Sequence, residues 1–210
     1  MQTTAAAIIG TGLWALSLSA CAEGAAPQEP QVQRVVMETD AGRIVIEVDA
    51  DHAPLTACNF LNYAHDGAYD GGGFFRTVVS ETNDNPNPID VIQAATPKGS
   101  DDPGMGPITL ERTRDTGLTH VAGAVSMARD GPDTATSSFF IVIKDTPSLD
   151  FGGARNPDGQ GFGVFGRVVE GMDVARRIQM MPADTEEQIQ PPVVIRSARL
   201  EGPMLAQCHP

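Results

Sequence analysis

The clearest local pattern in the chain is the alternation of apolar and polar positions over residues 43–48. Such a period of two is typical of a β-strand that buries one face. A short segment with three central apolar residues, residues 34–38, precedes it, and Asp40 and Gly42 between the two segments are residue types that favour a tight turn. The pattern therefore predicts a β-hairpin in which three side chains of the second strand share the buried face: Ile44, Ile46 and Val48.

Beyond the hairpin, the chain combines two helical segments with several short β-rich runs. Pro54 favours the first turn of a helix whose apolar residues recur at helical spacing until Gly67, and residues 171–180 form a second helical segment. Many short strands with one helix near each end of the chain indicate a mainly β protein, namely a closed antiparallel β-barrel capped by two α-helices. The β-rich runs are residues 91–93, 124–127, 139–143, 162–169 and 193–200.

Composition and charge exclude some functions. The 210 residues contain 14 Lys and Arg against 27 Asp and Glu, which gives a formal net charge of −13. A nucleic-acid partner is therefore not expected, because phosphate binding needs a basic surface. There is no run of about 18 or more apolar residues, so no membrane-spanning helix is predicted.

The side chains that carry hydrolytic or metal chemistry show no local motif. The three cysteines and four histidines do not form the closely spaced clusters typical of a zinc site, and no metal or other cofactor is expected. The segment around Ser126 lacks the final glycine of a nucleophile elbow, which argues against a serine hydrolase. His120 is therefore interpreted as a structural residue near the end of a strand.

The N-terminus has the features of a targeting segment. A short apolar run over residues 5–18 ends in Leu-Ser-Ala-Cys, which resembles the lipobox of bacterial lipoproteins. This resemblance implies a signal peptide over residues 1–20 and a lipid on Cys21, with residues 21–33 as a flexible linker. Residues 1–20 contain no Lys or Arg, which departs from the usual basic start, and a plain cleaved signal with an incidental cysteine is the alternative.

The targeting segment also predicts a location. It places the chain on the periplasmic side of the bacterial cell envelope, in contact with the membrane only through the lipid anchor. Ala22 follows the cysteine in place of the aspartate that favours inner-membrane retention, so outer-membrane sorting is predicted. In such an oxidising compartment Cys58 and Cys208 could form a disulfide, but the sequence does not decide whether they approach each other.

Three blocks of sequence, within residues 53–78, 123–141 and 149–172, resemble the cyclophilins. The most specific block combines Ser126-Met127-Ala128 with a following Gly-Pro and a Ser-x-Phe-Phe-Ile strand. The resemblance implies a cyclophilin-like domain over residues 34–202, followed by a C-terminal tail over residues 203–210. It further implies a monomeric peptidyl-prolyl cis-trans isomerase that acts on unfolded or flexible proline-containing polypeptides. The alternative is a catalytically weak proline-binding chaperone module with the same fold.

The resemblance also assigns roles within the site. Arg76 matches the family's catalytic arginine and Gln93 the glutamine that supports it. A guanidinium suits this chemistry because a fixed, always charged donor can stabilise the twisted amide without any covalent step. Six further residues are implied to bind the substrate: Val91, Ala128, the backbone of Arg129, Phe140, Leu149 and Phe162.

Several positions depart from the family pattern. Asp90 and Val91 stand where a Phe-Met pair is usual, which predicts a smaller and more polar pocket wall. Ser148 replaces the tryptophan that is important for cyclosporin binding, and Ser138 replaces a common glutamine. Phe162 takes the place of the pocket histidine, after an enlarged loop over residues 151–161. These changes are expected to affect substrate preference and rate more than the activity itself.

Overall fold

The structure is a computed structural model that describes residues 1–2, 32–99 and 104–209. Residues 3–20 of the predicted signal peptide, the predicted lipidation site Cys21 and most of the predicted linker lie outside the described residues. The strands are β1 (Val32–Thr39), β2 (Gly42–Asp49), β3 (Gly73–Val78), β4 (Val91–Ala95), β5 (Ala124–Met127), β6 (Phe139–Val142), β7 (Gly163–Glu170) and β8 (Gln188–Glu201). The helices are α1 (Pro54–His65), α2 (Thr113–Thr116) and α3 (Met172–Gln179).

The eight strands form a closed barrel in the order β1-β2-β7-β5-β6-β4-β3-β8. Every neighbouring pair is antiparallel, and the barrel closes where β1 pairs with β8, with Val35 opposite Leu200. The predicted fold class, a mainly β closed antiparallel barrel, is confirmed. The predicted hairpin is β1 and β2, and its turn is fixed by Thr39, whose side-chain oxygen accepts hydrogen bonds from the backbone N–H groups of Ala41 and Gly42.

Helix α1 begins at Pro54, as the sequence predicts, and covers part of the barrel core. Its Phe60 ring meets three aromatic side chains from elsewhere in the chain, with ring centroids 4.8–5.5 Å apart. These partners are Tyr69, Phe139 and Phe165. Because β6 and β7 supply two of these rings, the helix and the barrel share one aromatic core.

Helix α3 packs against β2, β3 and β4 through Val174, Ala175 and Ile178. Gly171 precedes it with a φ of +91°, and a Cβ there would lie 2.3 Å from the carbonyl oxygen of Arg43. Glycine is therefore required where the chain leaves β7 and enters α3. No helix among the described residues is long and apolar enough to cross a membrane.

A disulfide joins Cys58 on α1 to Cys208, with their Cα atoms 4.8 Å apart. This settles the question that the sequence left open. Cys208 is buried at the end of a short 3₁₀ helix, Ala206–Cys208, so the disulfide attaches the C-terminal segment after β8 to α1. The barrel itself begins at Val32, two residues before the boundary expected from the sequence.

Candidate active site

A cleft of about 390 Å³ opens on the face of the barrel formed by β3, β4 and β6. All eight residues that the sequence predicts for the site line this cleft, although they come from separate parts of the chain. They are Arg76, Val91, Gln93, Ala128, Arg129, Phe140, Leu149 and Phe162. The structure also places residues there that the sequence did not indicate as site residues, notably Ile89, Arg155 and Asn156.

Arg76 and Gln93 lie opposite each other on the neighbouring strands β3 and β4. The Nη1 group of Arg76 donates to Oε1 of Gln93 at 3.2 Å, and Nε2 of Gln93 donates to Oγ of Ser138 at 3.0 Å. The Ser138 hydroxyl in turn donates to the backbone oxygen of Ala94 at 3.1 Å. This chain of hydrogen bonds anchors the guanidinium to the barrel wall, so the arginine is held in place before a ligand arrives.

A carboxylate that the sequence did not reveal holds the other side of the same guanidinium. Oε2 of Glu187 accepts hydrogen bonds from Nε of Arg76 at 3.1 Å and from Nη2 at 2.5 Å. Its second oxygen accepts a hydrogen bond from the side chain of Asn83. Glu187 has a φ of +64°, which is unusual for a residue other than glycine, so its placement is a specific feature of the loop before β8.

Three apolar side chains form a patch within the otherwise largely polar lining of the cleft beside Arg76. Phe140, Leu149 and Val91 are each at most 5% exposed, yet they border the cleft. The Phe162 ring stands at 90° to the Phe140 ring with centroids 5.5 Å apart. A compact apolar ring such as that of proline would fit a surface of this kind, with the guanidinium of Arg76 at its edge.

The prediction of a more polar wall at Asp90 is wrong. Ile89 and Val91 line the cleft, whereas Asp90 lies between them and points away. Its Oδ1 accepts hydrogen bonds from the backbone N–H of Ser80 at 3.2 Å and from Nε2 of Gln179 at 2.8 Å. Burial raises the pKa of Asp90, but these hydrogen bonds and a nearby lysine outweigh burial and leave the pKa below its ordinary value. The wall is therefore smaller than in the family pattern but still apolar.

A buried Ser-His-Asp chain lies behind the cleft, although no local motif indicates it. Nδ1 of His120 is 2.7 Å from Oδ1 of Asp150, and Nε2 is 3.0 Å from Oγ of Ser126. Ser126 is fully buried, so its hydroxyl has no access to a substrate and the arrangement cannot work as a hydrolase. Burial lowers the pKa of His120, against the opposing effect of Asp150, and the neutral ring stacks on Phe140 with centroids 5.9 Å apart. The chain supports the cleft floor, in agreement with a structural role for His120.

Arg129 contributes to the cleft through its main chain. Its side chain is fully buried, with Nη1 and Nη2 at 2.7 Å and 3.0 Å from the carboxylate of Asp158, and its guanidinium lies 4.9 Å from the centroid of Phe162. The residue as a whole is partly exposed, and because its side chain is buried, the exposed part is the backbone. The side chain instead fixes the enlarged loop over residues 151–161 and the Phe162 ring. Among residues 32–99 and 104–209, no cluster of His, Cys, Asp and Glu side chains could hold a metal ion.

Comparison with known proteins identifies the family that carries this site. Residues 34–200 match the family described as "Cyclophilin type peptidyl-prolyl cis-trans isomerase/CLD". The chain is 38% identical over 175 residues to the peptidyl-prolyl cis-trans isomerase cyp18 of Streptomyces antibioticus, covering 80% of this chain and 98% of the relative. It is 34% identical over 172 residues to peptidyl-prolyl cis-trans isomerase A of Dickeya dadantii, covering 79% of this chain and 83% of the relative.

Solved structures agree on the fold. The crystal structure of a cyclophilin-type peptidyl-prolyl cis-trans isomerase from Cryptosporidium parvum superposes with a TM-score of 0.65. The match covers 82% of this chain and 99% of the other, at 21% sequence identity. The eight-stranded barrel is therefore shared with this protein despite the low identity.

Proposed function

This chain belongs to the cyclophilin-type peptidyl-prolyl cis-trans isomerase family, and we propose that it isomerises X–Pro bonds in the cleft beside Arg76. As a member of this family it is a peptidyl-prolyl cis-trans isomerase that binds proline-containing polypeptides. The observation that carries the assignment of the site is the position of a fixed guanidinium at the edge of the apolar surface formed by Phe140, Leu149 and Val91.

The reaction needs a stabilised twisted state and no covalent intermediate. Rotation about an X–Pro bond must break amide resonance, a barrier of about 18–20 kcal/mol, and the proline nitrogen becomes a hydrogen-bond acceptor as it turns pyramidal. Phe140 and Leu149 would hold the proline ring while the residue before it rotates. Arg76, held by Gln93 and Glu187, would then donate a hydrogen bond to the proline nitrogen of the twisted amide.

Exchange NMR on an Ala-Pro peptide tests this assignment directly. The full-length chain should increase the rate of cis–trans exchange in the peptide, and Arg76→Ala should lose most of that increase. Chemical-shift titration with the same peptide reports binding separately from exchange. A chain that binds the peptide at the cleft but leaves its exchange rate unchanged would contradict the role of Arg76 and favour a binding module.

We further propose that the substrates are exported polypeptides and that a lipid on Cys21 holds the enzyme to the bacterial envelope, at the outer membrane. The lipobox-like segment before Cys21 supports this proposal. The Cys58–Cys208 disulfide supports export as well, because such bonds persist mainly in oxidising compartments. The linker before Val32 would separate the barrel from the membrane, so that the cleft can reach soluble substrates.

Cell fractionation and mass spectrometry test the anchor. The wild-type chain should be found in the outer-membrane fraction with an acylated N-terminal cysteine, and Cys21→Ser should release it or leave it unprocessed. Soluble wild-type protein without an acyl mass would contradict the proposal. We also propose that the chain is a monomer, as its resemblance to the family implies. Sedimentation equilibrium of the chain in detergent measures this.

A further inference from the structure

The enlarged loop over residues 151–161 brings a third arginine, Arg155, to the cleft beside Arg76 and Arg129. The other two arginines have carboxylate partners within the protein. Arg76 pairs with Glu187 at 2.5 Å, and the buried side chain of Arg129 pairs with Asp158 at 2.7 Å. Their charges are therefore largely compensated inside the molecule.

Arg155 has no such partner. Its Nη1 group donates to the backbone oxygen of Asn87 at 3.1 Å, and across the part of the chain that the structure describes no carboxylate oxygen lies within 4.0 Å of its guanidinium. The loop is tied to the same residue a second time, because the side chain of Asn87 donates to the backbone oxygen of Ala154 at 3.1 Å. Arg155 is thus positioned at the cleft, and among the described residues no carboxylate is in direct contact with it, although Glu187 acts on it at longer range.

The surroundings of Arg155 favour an anion. The side chain is half-buried, and burial lowers its pKa first, with repulsion from Arg76 adding to the effect and Glu187 opposing it. Asp130 also lines the cleft, but it is exposed, so water and salt screen its charge. In a chain with a formal net charge of −13, a cation in the cleft with no carboxylate in direct contact among the described residues is a local exception.

We propose that the cleft prefers polypeptides with an aspartate or glutamate next to the X–Pro bond, and that Arg155 binds that carboxylate. The planar guanidinium is suited to this role because it can donate two parallel hydrogen bonds to one carboxylate. The N–H groups of the Arg155 guanidinium that do not donate to Asn87 would then donate to the substrate carboxylate. This inference rests on the proposed function, since it names the class of substrate that the same cleft takes.

The test uses three peptides that differ only beside the proline and are acetylated and amidated, so that no terminal carboxylate contributes. One peptide has Gln on both sides of the proline, one has Glu before it, and one has Glu after it. Affinity is measured by NMR titration and kcat/KM by exchange NMR, both with the full-length chain. We expect at least one Glu peptide to exceed the Gln peptide by about fivefold, the change that corresponds to about 1 kcal/mol.

Two variants and a matched control assign the preference to one side chain. Arg155→Gln should remove the preference for Glu, and Arg155→Glu should reverse it in favour of Gln. Arg196→Gln removes the same charge from the outer face of β8, where Arg196 is exposed and pairs with Asp40 at 2.6 Å, and it should retain the preference. High salt should reduce the preference in the wild-type chain, because the pairing is electrostatic.

Equal affinities and rates for all three peptides, or a Glu preference that survives Arg155→Gln, would overturn the inference while leaving the isomerase assignment intact. The converse is also distinguishable. A chain that fails to accelerate exchange in any peptide but binds Glu peptides more tightly through Arg155 would support the inference and contradict the proposed role of the cleft in catalysis.

Discussion

Replacing Arg76 by alanine tests the catalytic role that we propose for this side chain. In the structure, Glu187 accepts from Nε and Nη2 of Arg76, and Gln93 accepts from Nη1. A guanidinium has five N–H groups, two of them on each terminal nitrogen. One N–H on each terminal nitrogen of Arg76 is therefore left for a substrate. Arg76→Ala removes both of these donors together with the charge.

The magnitude follows from what a fixed donor contributes in a twisted or charged transition state. Removal of one preorganised donor costs about 2.7–4 kcal/mol, or about 10²–10³ in kcat. The effect on folding should be far smaller, because the side chains of Arg76 and Glu187 are 30% and 25% exposed and the pair is only partly shielded from water. After allowance for solvent screening, a pair of this kind contributes roughly 1 kcal/mol or less to stability.

Exchange NMR on an Ala-Pro peptide measures the activity, and urea unfolding followed by circular dichroism measures the stability. We expect Arg76→Ala to lose at least about 100-fold in kcat/KM with a native far-UV spectrum. Arg76→Lys should recover little, because the ammonium keeps the charge but lacks the planar fork that Gln93 and Glu187 hold. Arg167→Ala is the matched control. It breaks an ion pair with Glu47, in which the nitrogen and oxygen atoms are 2.6 Å apart, and this pair does not line the cleft.

The result that would refute this reasoning is a folded Arg76→Ala variant with exchange rates close to those of the wild type. A loss of activity in Arg167→Ala of the same size would refute it as well, because the effect would then follow from any lost surface charge. Loss of activity that only tracks loss of structure in the urea titration would show that Arg76 stabilises the fold and does not act on the substrate.

Three further predictions concern groups around the site and the barrel. Glu187→Gln should lower kcat/KM by roughly tenfold, since it weakens the charge-assisted hydrogen bonds that orient Arg76; a change in Tm alone would assign Glu187 to folding. Cys58→Ser should lower the free energy of unfolding by about 2–5 kcal/mol, because the disulfide to Cys208 closes a long loop. Urea titration of the reduced wild-type chain should give the same free energy of unfolding as the variant. Cyclosporin should inhibit weakly because Ser148 supplies no indole N–H, and Ser148→Trp should tighten binding in a fluorescence titration; tight inhibition of the unaltered chain would contradict this.

The strand and the helix that local sequence signals predict most clearly are both present in the structure. The period of two over residues 43–48 corresponds to β2, and Pro54 begins α1. Both signals are local, because a pleated strand and a helical first turn are determined by neighbouring residues. The short helix α2, Thr113–Thr116, was not predicted, since four residues carry no measurable period and only the left-handed Gly117 at its end marks it.

The residues of the site also fall into two groups, those that a sequence signal indicates and those that it does not. Arg76 and Phe140 lie in blocks that resemble the family and Gln93 matches a family position between those blocks, so the sequence indicated all three, and the structure places them on adjacent strands. Glu187 was missed because it is 111 residues away from Arg76 and no motif surrounds it. The error at Asp90 was avoidable. Ile89 and Val91 are two positions apart and share one face, so an extended backbone must direct the residue between them to the other side.

What distinguishes the arginines of this cleft is the partner that each one has, because the three side chains carry the same charge. The Arg129 side chain is fully buried and donates two hydrogen bonds to Asp158, so its guanidinium is not accessible to a ligand and holds the loop in place. Arg76 is held on two sides but keeps N–H groups free, which suits a group that must donate without moving. Among the described residues, the Arg155 guanidinium donates to a backbone carbonyl and contacts no carboxylate, which leaves its charge open to a substrate carboxylate. The internal carboxylates are therefore the reason for assigning a structural role to Arg129, the proposed catalytic role to Arg76 and the proposed choice of substrate to Arg155.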